Sequence, residues 1–115
     1  MKRKIFCFDI DNTICTTYKK NYYSAKPKKN IIKLINGLYE KGHQIKIFTA
    51  RYMGRNNDNA TKAHKQGYIR TYKQLKKWNL KFHQLILGKP SFDLLIDDRA
   101  LGYKEKLIKS LNKYL

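Results

Sequence analysis

The stretch Ile5-Phe6-Cys7-Phe8-Asp9-Ile10-Asp11-Asn12-Thr13 decides how this chain folds. Four bulky apolar residues in an unbroken run are what a strand of a buried parallel sheet requires. Two acids follow at alternate positions. Residues two apart on an extended segment project to the same side, so Asp9 and Asp11 can face one site. In open α/β sheets the edge formed by strand C-terminal ends is where ligands bind. A second stretch has the same form, with Leu94-Leu95-Ile96 running into Asp97-Asp98. The chain has eight Asp and Glu, and half of them sit in these two clusters beside apolar runs. Plain solvation would scatter them.

Working outward, the pattern predicts alternating strands and helices. Residues 4–8 read as a first strand and 27–41 as a helix, with Pro27 in its first turn, an apolar stripe of Ile31, Leu34, Ile35 and Leu38, and Gly42 closing it. Residues 44–48 alternate through Ile45 and Ile47 as a second strand ending at Thr49. The polar stretch 51–66, with Arg55-Asn56-Asn57-Asp58-Asn59, reads as loop chemistry. A helix over 68–78, strands over 83–87 and 92–96, and a closing helix over 103–114 complete the chain. The expectation is an α/β fold, a three-layer Rossmann-like parallel sheet with helices on both faces. At 115 residues, 1–115 makes one domain. Residues 14–26 form a flap, and neither they nor 51–66 are long enough for a cap domain.

The charge is +18, from 26 Lys and Arg against eight acids. Such an excess invites an anionic partner. Yet 21 of those cations are Lys, spread along the whole chain, and only five are Arg. Phosphate- and base-reading surfaces favour the planar Arg fork, and no nucleic-acid motif is present. Drift in an A+T-rich coding sequence gives the same mixture. No apolar run approaches the ~20 residues of a membrane-spanning helix, and Asp9 and Asp11 interrupt the only run a signal peptide could use. Cys7 and Cys15 match no redox or metal spacing, and neither do His43, His64 and His83. Reduced thiols and a cytoplasmic location are the expectation.

If Asp97 meets Asp9 and Asp11 across the sheet edge, the carboxylates repel by about 4 kcal/mol per pair near 4 Å at an effective dielectric of 20. A hard divalent cation removes that conflict, and oxygen-only ligands favour Mg²⁺ over zinc. Thr49 adds a hydroxyl and Lys89 a positive charge. Together these groups suit phosphoryl transfer.

In their order and spacing, Asp9-x-Asp11-x-Thr13, Thr49, Lys89 and Asp97-Asp98 resemble the four motifs of haloacid dehalogenase-like phosphatases. The texture between them, in Phe48-Thr49-Ala50-Arg51, the Lys73-Gln74-Leu75-Lys76-Lys77-Trp78 helix, Leu87-Gly88-Lys89-Pro90 and Leu95-Ile96-Asp97-Asp98-Arg99-Ala100, resembles small capless members associated with bacterial capsule and surface-polysaccharide synthesis. The resemblance implies a Mg²⁺-dependent phosphomonoesterase with an aspartyl-phosphate intermediate. Asp9 would be the nucleophile and Asp11 the acid and base. Thr49 and Lys89 would hold the phosphoryl oxygens. Asp9, the Asp11 carbonyl and Asp97 would hold Mg²⁺, with Asp98 direct or through water. The implied substrate is a small phosphorylated metabolite, a sugar phosphate or a polyol or amino-alcohol phosphate.

Other readings stand beside this one. Thr49 can be a cap residue and Asp98 a partner of Arg99. Thr13 and Arg51 can touch substrate or serve their loops, and Tyr18, Tyr22 and Tyr23 can contact substrate or simply pack. A polynucleotide or nucleotide phosphatase is the alternative enzyme, and a binding module with a retired site the alternative class. An open site suits an extended substrate or a wall borrowed from a second subunit of a homo-oligomer.

Overall fold

The computed structural model describes residues 2–103 and 106–115. In chain order its elements are β1 (Ile5–Phe8), β2 (Cys15–Thr16), β3 (Lys26–Pro27), α1 (Lys29–Glu40), β4 (Gln44–Thr49), a 3-10 turn (Gly54–Asn56), α2 (Ala60–Lys77), β5 (Gln84–Leu87) and α3 (Leu107–Asn112). β1, β4 and β5 form a parallel sheet in that order. Phe8 pairs with Ile47, Ile47 with Leu85, and Thr49 with Leu87. Side chains alternate across a strand, so this register puts Phe8, Ile45, Ile47, Thr49, Leu85 and Leu87 on one face. All six are buried.

The helices supply the rest of the core. α1 packs against β4 and α2 against β5. α1 buries Ile31, Ile32, Leu34, Ile35 and Leu38, the i, i+3, i+4, i+7 stripe of an amphipathic helix and one neighbour. His43 and His83 are structural. The His43 Nδ1 accepts the Lys4 N–H at 3.0 Å, which leaves Nε2 to donate to the Tyr114 carbonyl at 2.9 Å. The His83 Nδ1 accepts the Ile45 N–H at 3.0 Å. On the sheet's second face Ile5 and Cys7 are exposed and Phe48 is half-buried, and all three line a cleft shared with Leu107 and Leu111 of α3. No helix among the described residues is long and apolar enough to cross a membrane.

The α/β alternation and the parallel sheet match the sequence reading, and four boundaries differ. Pro27 does not open α1. It pairs with Cys15 in a two-stranded antiparallel ladder, and the Lys28 N–H bonds to the Ile14 carbonyl at 2.8 Å, so the flap closes on itself before the helix starts. α2 begins eight residues earlier than expected, at Ala60, with the Asn59 side chain accepting the Lys62 N–H at 3.0 Å. Its buried positions are Ala63, Gly67, Thr71 and Leu75. Spaced by four, these make one face, but three are small or polar and so carry no apolar signal.

Residues 92–96, expected as a fourth strand, form no strand. Leu94 is 74% and Ile96 85% exposed. An apolar run becomes a strand only where a sheet edge takes its N–H and C=O groups, and β1 pairs with β4 alone among the described residues. Asp97 and Asp98 therefore lie in an exposed loop rather than at a strand end. The closing helix is confined to Leu107–Asn112 because Lys106 takes a left-handed conformation (φ 57°). Lys104 and Glu105 of the expected helix lie outside the described residues.

Gly67 is where α2 meets the loop after β4. A methyl group there would run into Cδ2 and Cε2 of the Tyr52 ring, which is buried and sits on a residue with φ 68°. Gly67→Ala gains about 1 kcal/mol of helix propensity but overpacks the ring at a cost of about 1–3 kcal/mol. The expected outcome in urea unfolding is a lower midpoint, with a net loss of up to about 2 kcal/mol. A midpoint equal to or above that of the parent chain would show that the ring yields freely.

Candidate functional site

Parallel pairing aligns the C-terminal ends of β1, β4 and β5, and each end delivers one polar group. Asp9 follows Phe8 directly. Thr49 is the last residue of β4 and is buried. Lys89 follows Gly88, whose φ of 111° is a conformation that side-chain-bearing residues avoid. That turn lets the Lys89 N–H bond to the Thr49 carbonyl at 3.2 Å. The Lys89 ammonium then reaches the Asp9 Oδ1 at 3.5 Å, and the Thr13 hydroxyl donates to the Asp9 Oδ2 at 3.3 Å.

These contacts set the electrostatics of Asp9. Burial pushes its carboxyl above the usual carboxylate range and outweighs the opposing pull of Lys89, the Ile10 N–H and Thr13, while the charge of Asp11 pushes it further up. A half-buried carboxylate with one ammonium beside it is an anion with unmet demand for positive charge. The Thr49 hydroxyl accepts the Arg51 N–H at 3.1 Å, so it caps the loop and keeps its own proton to donate.

Asp11 has a different environment. The Arg51 Nε donates to its Oδ2 at 2.9 Å and the second guanidinium nitrogen to its Oδ1 at 2.9 Å, a bidentate pair. The Thr17 hydroxyl adds a bond to Oδ1 at 2.6 Å. The third guanidinium nitrogen donates to the Gln74 Oε1 at 2.6 Å, the Gln74 amide donates to the Tyr22 carbonyl at 2.6 Å, and the guanidinium lies 4.7 Å from the centre of the Tyr22 ring. Arg51 is 2% exposed and all three of its side-chain nitrogens donate to protein groups, which favours the internal one of the two roles left open for it. Tyr22 packs on Tyr52, while Tyr18 and Tyr23 are exposed.

Asp9, Thr13, Lys89, Asp97 and Arg99 line one cleft of about 840 Å³. Asp97 stands in its exposed loop and accepts the Arg99 N–H at 3.0 Å. That bond, helped by the Asp98 side chain, holds its carboxyl below the usual range. Asp98 is exposed. The described residues contain no group of three or more His, Cys, Asp and Glu that could hold a metal ion. Of the expected Mg²⁺ ligands Asp9, the Asp11 carbonyl and Asp97, Asp9 and Asp97 line the same cleft, but Asp97 stands in an exposed loop and not at the end of a strand beside β1. In this arrangement the cation beside Asp9 is Lys89.

The sequence reading missed Thr17 and Gln74. Thr17 lies in the flap, six residues past its partner. Gln74 sits in a lysine-rich helix where nothing in the pattern singles it out from its neighbours.

No protein-family model matches this chain, and no curated protein matches it. Among solved structures it resembles a crystal structure of a target protein from Vibrio cholerae, with a TM-score of 0.82 and 24% identity over 96% of this chain and 97% of that one. At that identity the likeness establishes the fold.

A buried carboxyl with a raised pKa keeps its proton in the folded state over a range where the unfolded chain has lost it. Its contribution to stability is full below the unfolded value and is lost as pH rises through the raised folded one. Asp9→Asn removes that loss. In metal-free buffer the variant should melt above the parent chain at about pH 7, and the gap should close below about pH 4. A gap that is absent, or that widens in acid, would show that Lys89 compensates the buried charge fully.

Proposed function

We propose that this chain is a haloacid dehalogenase-like phosphatase, a phosphomonoesterase working through an aspartyl-phosphate on Asp9. One observation carries the reading. A half-buried, charge-hungry carboxylate stands at the C-terminal end of the first strand of a parallel sheet, with an ammonium 3.5 Å away and a second carboxylate two residues on. The agreement of the four motifs with that family supports it, as does the presence of Asp9, Thr13 and Lys89 on one cleft. The three-layer sheet of that family, with residues 92–97 as a further strand, belongs to the same proposal.

The chemistry follows from the groups present. An Asp9 oxygen attacks phosphorus, the bond from phosphorus to the ester oxygen breaks, and the leaving oxygen takes a proton from Asp11. Water then attacks the phosphorus of the aspartyl-phosphate, gives its proton to Asp11, and releases inorganic phosphate and the free Asp9 carboxylate. Lys89 and the Thr49 hydroxyl stabilise the charge on the phosphoryl oxygens. Asp9, the Asp11 carbonyl and Asp97 would hold Mg²⁺, which would add positive charge beside Lys89, and no step is routed through it. Turnover measured with added Mg²⁺ and with chelator decides whether a cation joins Lys89. The substrate class, a sugar, polyol or amino-alcohol phosphate of surface-polysaccharide synthesis, comes with the resemblance and is part of the proposal.

Hydrolysis of p-nitrophenyl phosphate tests the reading. Asp9→Asn should abolish it, since an amide does not attack phosphorus. Lys89→Ala should lower kcat by about 10²–10³, the loss of one preorganised charge contact (about 2.7–4 kcal/mol). Full turnover in Asp9→Asn would end the phosphatase proposal, and an unchanged rate in Lys89→Ala would give the phosphoryl charge to another group.

A further inference from the structure

The Asp11 side chain is held by Arg51 and Thr17, with the Cys15 thiol a further 3.8 Å donor to Oδ1, and the way it is held leaves little choice about where it can exchange a proton. A carboxylate offers about four acceptor positions, two on each oxygen. On Asp11 the Oδ1 takes one guanidinium N–H of Arg51 at 2.9 Å and the Thr17 hydroxyl at 2.6 Å, and the Arg51 Nε also leans toward it at 3.3 Å. Both Oδ1 positions are used. The Oδ2 takes the Arg51 Nε at 2.9 Å, which leaves it one position. The Asp11 side chain is 23% exposed, whereas that of Arg51 is 2% exposed.

We infer that Arg51 is a positioning residue that acts through Asp11. Its fork takes one position on each oxygen and Thr17 takes the second on Oδ1, which leaves a single proton port, on Oδ2. The inference rests on the phosphatase reading and deepens it. A proton on the open Oδ2 position breaks none of the bonds from Arg51 and Thr17. Asp11 can therefore pass that proton to the leaving oxygen as the phosphorus–oxygen bond breaks, and recover one from the attacking water, without rotating. Arg51 is itself fixed by Gln74 and by the Tyr22 ring, and Gln74 also holds the Tyr22 carbonyl. The aim of the proton carrier is thus tied to the flap and to α2. Lys at position 51 would keep the charge but not the planar fork, and would leave the carboxylate free to turn.

The test uses two esters of similar size, p-nitrophenyl phosphate and phenyl phosphate. The nitrophenolate departs with little proton help and the phenolate needs more. kcat and KM are measured for the parent chain, Arg51→Lys, Asp11→Asn and the double variant. Arg51→Lys is expected to lose about tenfold more kcat/KM, which reports the step that expels the alcohol, on phenyl phosphate than on p-nitrophenyl phosphate. In the double variant, Arg51→Lys should add almost nothing to the loss from Asp11→Asn, the mark of two residues working as one unit. Equal losses on both esters, or losses that multiply in the double variant, would overturn the inference. Thr17→Val frees an Oδ1 position without touching a charge, and it should show the same ester-selective loss even if Arg51→Lys fails to fold. Absence of Asp9-dependent turnover in the parent chain would overturn the phosphatase reading itself, whereas Asp9-dependent turnover with ester-independent losses overturns only the role of Arg51.

Discussion

The ion pair between Arg51 and Asp11 is the contact on which the rest of this site depends. It joins the segment after β1 to the loop after β4, and through Gln74 and Tyr22 it takes in α2 and the flap. A guanidinium 2% exposed is tolerable only because all three of its nitrogens find acceptors. Removing one partner of such a pair leaves an uncompensated charge in a poorly solvated place, at a cost of about 3–5 kcal/mol. Replacing both with apolar groups would cost far less, so stability alone does not account for the pair. A fixed orientation of Asp11 does.

The neighbouring pair of Asp9 and Lys89 differs in kind. It is longer, at 3.5 Å, and its carboxylate is 35% exposed. Here the surroundings under-compensate the anion. One acid is saturated with donors and the next, two residues away, is left wanting charge. Two carboxylates on one short segment are thereby driven toward separate tasks by environment alone. Backbone geometry makes this arrangement: strand ends set side by side by parallel pairing, and a left-handed turn at Gly88 that brings Lys89 back to Thr49.

Several features were legible in the residues themselves. The run of 5–8 against its acids, the α1 stripe and the alternation at Ile45 and Ile47 each place a strand or helix, because apolar periodicity is written directly in the side chains. The early start of α2 was not legible. Its buried face consists of Ala63, Gly67, Thr71 and Leu75, and three of these read as polar or neutral although they lie against the sheet and the Tyr52 ring. The run at 94–96 shows the converse. Its composition is that of a strand, but strand formation depends on a partner edge, and no property of three consecutive side chains encodes one. Arg51 was visible as a cation near the site, but its direction was not, since a guanidinium after a strand end can turn to solvent or to an acid with equal local ease.

By itself, then, the order of residues determined where β1, α1, β4 and β5 fall and that Asp9, Thr49 and Lys89 stand at one edge of a parallel sheet. These follow from short-range regularities of two and of three to four residues and from where acids interrupt apolar runs. Only the tertiary structure decided that Lys89 stands beside Asp9, that Arg51 and Thr17 hold Asp11, and that Asp97 lies in an exposed loop. Each of those outcomes joins groups roughly 40 or more residues apart or closes a flap over its own base. Such meetings are fixed by which donors remain unpaired after the chain has packed, and that quantity exists only in three dimensions.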